Sequence, residues 1–191
     1  MKLPALIIAN GLPGSGKTTL TRRLARDLQV PRFARDEIHE TLYEAMDGRT
    51  SELPPALGQG AFAIIYYAAG QLLAVGQSCI VENYFGRPAL RSGELLQLQQ
   101  QHPYEPIQLL CKADGPVLVE RFLKRMVEED RHSGLQDQAW IDEHRTRLLQ
   151  GELEPLAVGG TLIEVDTTTP ERMDYPSLLS RLRALIEAAE G

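Results

Sequence analysis

Apolar residues follow two patterns along the chain: short clusters of strand length, and longer stretches where they return every third or fourth position. Ala5–Ala9 and Cys79–Val81 are unbroken apolar runs, Ile107–Cys111 and Thr161–Val165 are largely apolar stretches of strand length, and Val30–Ala34 reads as a short second strand. Apolar side chains at successive positions suit strands covered on both faces, as in a parallel sheet. Between the runs, Leu20, Leu24 and Leu28 recur every fourth residue, and Leu57, Ala61, Ile64, Ile65, Ala68 and Leu72 keep helical spacing toward Gly76. Further helices are predicted from Glu37 to Met46, from about Arg87 to Gln101, from about Val117 to Glu129 and from Trp140 to Leu149. The last carries Leu178, Leu179, Leu182, Leu185 and Ile186 on one face. The polar stretch Asp47–Pro55, with Gly48, Pro54 and Pro55, reads as a loop between helices. Strands alternating with helices predict an α/β fold.

Chemistry enters where the first strand ends. Gly11 to Thr19 reads G-L-P-G-S-G-K-T-T, which fits the phosphate-loop pattern G-x-x-x-x-G-K-[ST]. A strand, this loop and a helix in that order gather free backbone N–H groups and the positive end of a helix dipole around one anion. Gly11, Pro13, Gly14, Ser15, Gly16, Lys17, Thr18 and Thr19 are therefore the expected phosphate contacts. Lys17 would reach the β- and γ-phosphates, and the Thr18 hydroxyl would hold Mg²⁺. A plain glycine-rich turn accounts for the glycines but not for Lys17-Thr18 after a strand.

Other strand ends carry polar groups as well, where open α/β sheets bind ligands. Asp36 follows the second strand and is a candidate for chemistry, although Asp is also a favoured helix N-cap. Glu82 closes the third strand, where an acid can act on Mg²⁺ through bound water or pair with a neighbouring arginine. Lys112-Ala113-Asp114 after the fourth strand invites a GTPase reading, but Cys111 stands where guanine recognition expects Asn. Arg121 and Arg125 lie four apart on one helical stripe with Arg131 just beyond, so they suit either a phosphoryl clamp or a solvated face shared with Glu120, Glu128, Glu129 and Asp130. Tyr66 and Tyr67 suit a pocket wall or ordinary packing.

Length and composition restrain this picture. The 191 residues suit one domain, and a hydrophobic content of 43% supplies a single large core. A net charge of −6 with pI ≈ 5.3 gives no broad attraction to a polyanion, so long nucleic acid is not the expected partner. Cys79 and Cys111 each sit in a predicted buried strand, favouring reduced thiols. His39, His102, His132 and His144 show no metal-ligand spacing, leaving Mg²⁺ carried by ATP as the expected metal. No leader and no run of spanning length is read at the start or within the chain, so the expectation is a cytoplasmic protein without a membrane partner.

The phosphate loop, Arg35-Asp36, Glu82 and Arg121-x-x-x-Arg125 together resemble the phosphate-loop kinases that phosphorylate hydroxyl groups. The similarity is to the AAA-domain kinases, chloramphenicol phosphotransferase, zeta toxin and polynucleotide 5′-hydroxyl kinases. The resemblance implies a three-layer α/β sandwich with a five-stranded parallel sheet in order 2-3-1-4-5, as in P-loop NTPases and nucleotide kinases. It implies Asp36 as general base, Arg121 and Arg125 in a lid spanning about 115–135, and a loop after strand five, with Thr167, beside the adenine. His39 stands where polynucleotide kinases carry Arg, and Glu82 replaces the more usual Asp. The expected activity is ATP- and Mg²⁺-dependent transfer of the γ-phosphate to a hydroxyl of a small molecule. A nucleic-acid 5′-hydroxyl kinase and a non-catalytic nucleotide-binding regulator are the alternatives.

Overall fold

The computed structural model describes residues 2–46, 56–128, 145–151 and 153–190, the side chains of 125–128 excepted. Five parallel strands form one sheet in the order β2-β3-β1-β4-β5, the order implied by the resemblance. They are β1 (Ala5–Gly11), β2 (Arg32–Ala34), β3 (Cys79–Asn83), β4 (Glu105–Lys112) and β5 (Thr161–Asp166). The helices are α1 (Lys17–Leu28), α2 (Arg35–Ala45), α3 (Leu57–Ala74), α4 (Pro88–Gln101), α5 (Gly115–Glu128), α6 (145–150) and α7 (Tyr175–Glu190).

The alternating side chains of β1 explain why the sheet is covered twice. Ala5, Ile7 and Ala9 face α1 and α7 through Leu20, Leu24, Leu178 and Leu182. Leu6 and Ile8 face α3 and α4 through Ile65, Ala69, Leu73, Leu95 and Leu98. Every β1 residue is buried, as its uninterrupted apolar run requires. A smaller cluster of Leu12, Ala113, Leu118 and Leu148 fixes the start of α5 and the α6 segment beside the phosphate loop. Both cysteines are free and buried, and burial alone pushes the Cys79 thiol up to about 12. Among the described residues, no helix is long and apolar enough to cross a membrane.

Element boundaries depart from the sequence expectation at the ends that matter. The strand β2 begins at Arg32 rather than Val30, and α2 begins at Arg35 rather than Glu37. The chain enters α2 through Ala34, whose φ of −108° and ψ of 127° are extended and whose side chain caps nothing. Asp36 therefore lies inside the first turn, and its reading as the N-cap is overturned.

Candidate active site

Register brings three strand ends into line. Ala9 of β1 and Ala34 of β2 both pair with Glu82 of β3, so Asp36 stands two residues past a partner of Glu82. On the other flank, Gly11 pairs with Cys111. The sheet is tight there: a Cβ on Gly11 would lie 2.7 Å from the Cys111 carbonyl oxygen.

Gly11 releases the chain into the phosphate loop. The Ser15 amide donates to the Leu12 carbonyl at 3.0 Å, and Leu20 N–H returns to the Gly16 carbonyl at 3.0 Å to open α1. Gly14 and Gly16 have φ of 83° and 70°, left-handed conformations that glycine reaches without the clash a Cβ brings. Gly14 is also crowded, since a Cβ would lie 2.9 Å from the Leu118 carbonyl oxygen of α5. Lys17 is buried, with Nζ 3.4 Å from the Leu12 carbonyl. The Ser15 hydroxyl is buried and has no hydrogen-bond partner among the described residues. Pro13 is half-buried, and Thr19 is exposed on the first turn of α1.

The β3 side of the loop is built from paired charges. The Thr18 hydroxyl donates to Glu82 Oε1 at 2.5 Å, and the Thr21 hydroxyl lies 2.7 Å from Glu82 Oε2. Arg32 reaches the same Oε2 through Nη2 at 2.7 Å and donates from Nε to Thr21 Oγ1 at 2.9 Å. Its Nη1 and Nη2 also meet Glu37 at 2.9 and 3.0 Å, and Arg22 completes the chain on Glu37 at 2.7 Å. Burial opposes the charge of Arg32, yet the hydrogen bond to Glu37 and the nearby Glu82 charge outweigh it and raise its pKa. The same Arg32 contact, with Arg22 adding to it, holds the Glu37 carboxyl below the usual carboxylate range. Of the two arrangements its sequence position offered, Glu82 makes the arginine pair, with Arg32, and it also accepts a hydrogen bond from the phosphate-loop threonine.

The β4–β5 side is built from side chains bonded to backbone. Thr167 Oγ1 lies 2.7 Å from the Ser15 carbonyl and 3.0 Å from that of Lys112, tying the loop to β4. Arg121 Nη2 donates to the carbonyls of Thr167 and Thr168 at 3.0 and 2.9 Å, and Nη1 lies 3.4 Å from that of Gly14. Next to these groups, a cavity of about 440 Å³ opens between Ala113-Asp114-Gly115 and Gly151, walled by Asp166 and Thr168. Arg125 lies on α5 but its side chain is outside the described residues, as are Arg131 and residues 129–135 of the expected lid.

Asp36 is half-exposed, with Oδ1 3.1 Å from Arg35 Nη1. His39, one turn on, is buried, and burial together with the charge of Arg35 lowers its pKa. The Tyr66 hydroxyl donates to Glu94 at 2.9 Å, and Tyr66 and Tyr67 line a groove of about 620 Å³ between α3 and α4. Sequence reading missed Arg32 and Thr21. The signal for Thr21 was present, since Thr18 and Thr21 are three apart and share a helix face. Arg32 carried none, because nothing in a short strand tells which carboxylate an arginine will meet.

Residues 6–148 match the family model described as an AAA domain. The chain belongs to that family. Over 99% of both chains this AAA-domain protein is 35% identical to a candidate kinase from Chloroflexus aurantiacus j-10-fl, with a TM-score of 0.86. A gluconokinase from Sinorhizobium meliloti 1021 is 20% identical, with 98% and 97% of the two chains covered and a TM-score of 0.56. A sugar kinase from Janibacter sp. HTCC2649 is 17% identical over 99% of each chain, with a TM-score of 0.58. At those identities the last two show the fold alone, that of a P-loop kinase. No curated protein sequence matches the chain.

Proposed function

We propose that this AAA-domain protein is a kinase that transfers the γ-phosphoryl group of ATP, in a Mg²⁺-dependent reaction in the cytoplasm, to a hydroxyl of a small molecule. The observation that carries the reading is the meeting of the phosphate-loop threonine with the strand-end acid, Thr18 on Glu82 at 2.5 Å, beside a buried Lys17. The donor set suits the expected ligands. A hydroxyl and a carboxylate are the hard oxygen donors Mg²⁺ prefers, and the positive φ of Gly14 and Gly16 leaves loop backbone free of side chains where phosphate would approach. The metal, when bound, would neutralise charge on the β- and γ-phosphates.

Each site residue has a part in this reading. Lys17 draws charge from the phosphates, and Gly11, Pro13, Gly14, Ser15, Gly16, Thr18 and Thr19 form the cradle and its first helical turn. Asp36 receives the proton of the acceptor hydroxyl as its oxygen bonds to the γ-phosphorus and the bond to the β–γ bridging oxygen breaks, releasing ADP. Arg121, resting on the Gly14 carbonyl, braces the loop that borders the phosphates, and the clamp on the transferring group is assigned to Arg125 and Arg131 of the 115–135 lid in a single 1–191 domain. Thr167 borders the base. A small polyol is the acceptor best supported, because two fold neighbours are a gluconokinase and a sugar kinase and the net charge of −6 disfavours polyanions.

An ADP-release screen of purified protein tests the proposal, run against sugars, sugar acids, nucleosides, aminoglycosides and a 5′-hydroxyl oligonucleotide, with Lys17→Ala as the blank. Stimulated release with a small alcohol is expected. Fastest release with the oligonucleotide, collapsing as salt rises, would favour the nucleic-acid kinase. Nucleotide binding without release on any acceptor would favour the regulator.

A further inference from the structure

We infer that Arg32, acting with Thr21, is a positioning residue that sets the Glu82 carboxylate toward Thr18 and so controls how strongly Mg²⁺ assists nucleotide binding. The inference rests on the kinase reading above. Glu82 divides its two oxygens. Oε2 takes the Thr21 hydroxyl at 2.7 Å and Arg32 Nη2 at 2.7 Å with Nε at 3.2 Å, while Oε1, among the described residues, takes the Thr18 hydroxyl at 2.5 Å. One oxygen is thereby shared by three donors, and the other accepts from the phosphate-loop threonine.

A glutamate needs such a fixture more than an aspartate would. Its extra methylene adds a rotatable bond, so the carboxylate can swing unless both oxygens are held. Arg32 can hold it because it is itself held: its side chain is 9% exposed, and its Nη1–Nη2 edge is spent on Glu37. A guanidinium fork can touch Thr21, Glu82 and Glu37 together; a lysine ammonium on a flexible stem is a single point of charge. Groups that orient a metal-side ligand from behind typically alter metal affinity by about 10–100-fold when removed. The described contacts of Arg32 are with Thr21, Glu82 and Glu37, so its influence should run through the carboxylate and vanish when the metal is withheld.

A fluorescent ADP analogue, titrated once with MgCl₂ and once with EDTA, reads this directly as the ratio of the two affinities. Arg32→Gln is expected to lower that ratio by about 10-fold or more while the affinity in EDTA stays at the wild-type level. Arg32→Lys keeps a buried positive charge, and with it the fold, and should lose an intermediate part of the ratio. In a Glu82→Gln background, Arg32→Gln should have no further effect, because the residue it positions is gone. An unchanged ratio in either folded single variant, or a further loss in the Glu82→Gln background, overturns the inference; if Arg32→Gln does not fold, Arg32→Lys decides. A wild-type protein that binds ADP with no magnesium gain would overturn the metal-dependent kinase reading as well, which separates the two failures.

Discussion

Two arginines border the phosphate loop from opposite halves of the sheet, and they hold unlike partners. Arg32, on the β2–β3 side, bonds carboxylates: Glu82 and Glu37. Arg121, on the β4–β5 side, bonds only backbone carbonyls in the contacts described, those of Gly14, Thr167 and Thr168. A pair of opposite charges responds to any third charge brought near it, whereas an arginine on carbonyls holds a chain path and responds to distortion of that path. On the proposed function, the first half of the site is the one that senses the metal. The second is suited to keeping the cradle in shape for any phosphate, with or without metal.

The largest break in this contrast is expected at Asp36, on the charged side. Asp36→Asn keeps the size of the residue, and since Asp36 caps no helix the change has no capping role to disturb. Turnover should fall by about 10²–10⁴ with nucleotide affinity and melting temperature near wild type. Normal turnover in Asp36→Asn, measured by coupled ADP release, would remove Asp36 from the chemistry.

Arg121→Ala should give the next largest effect, and of the other kind. Hydrogen bonds to a charged group contribute about 1.5–3 kcal/mol, which corresponds to about tenfold or more in affinity if the loop loses its shape. ADP and ATP should weaken alike, with MgCl₂ or EDTA. A loss confined to the maximal rate would instead place Arg121 on the transferring phosphoryl group.

Thr167→Val tests the same half more gently. It removes the hydroxyl beside the Ser15 and Lys112 carbonyls while keeping the branched shape, for a net loss of about 0.5–1.5 kcal/mol. The measurement is chemical denaturation, and an unchanged midpoint would show that this bond does not brace the loop.

The smallest effect expected is a pH dependence seated beside Asp36. His39 is buried, and its folded-state pKa lies below its ordinary value through burial and the Arg35 charge. Its contribution to stability is then fully present above the unfolded-state pKa, about 6.5, and is lost as pH falls through the folded value. Wild type should lose melting temperature as pH drops below about 6.5 more steeply than His39→Gln. Parallel curves would assign the acid sensitivity to other groups.

What the sequence disclosed followed the same division. The sheet, its helices and the loop were legible because each rests on a local signal: the central strands on largely apolar runs, helices on period, the loop on Gly11, Gly16, Lys17 and Thr18 at fixed spacing. The start of α2 was placed two residues late, since Asp36 looks like a cap while the chain in fact turns at Ala34, whose small side chain gives no such mark. Arg32 was invisible because its partners lie 50 and 5 positions away, the first of them reached only once β2 pairs with β3. Thr167 was assigned to the base side from resemblance; that its hydroxyl also meets the loop backbone depends on a contact across 152 positions.

A Cβ at Gly11 would run into the main chain of β4 at Cys111, an obstacle set by strand pairing and present whether or not a phosphate ever arrives. Selection for an intact sheet would preserve that glycine even in a descendant that had abandoned nucleotides altogether. As an inherited letter it records ancestry, and the letters that would decay first on loss of the trade are those with no part in the sheet, Lys17 and Asp36.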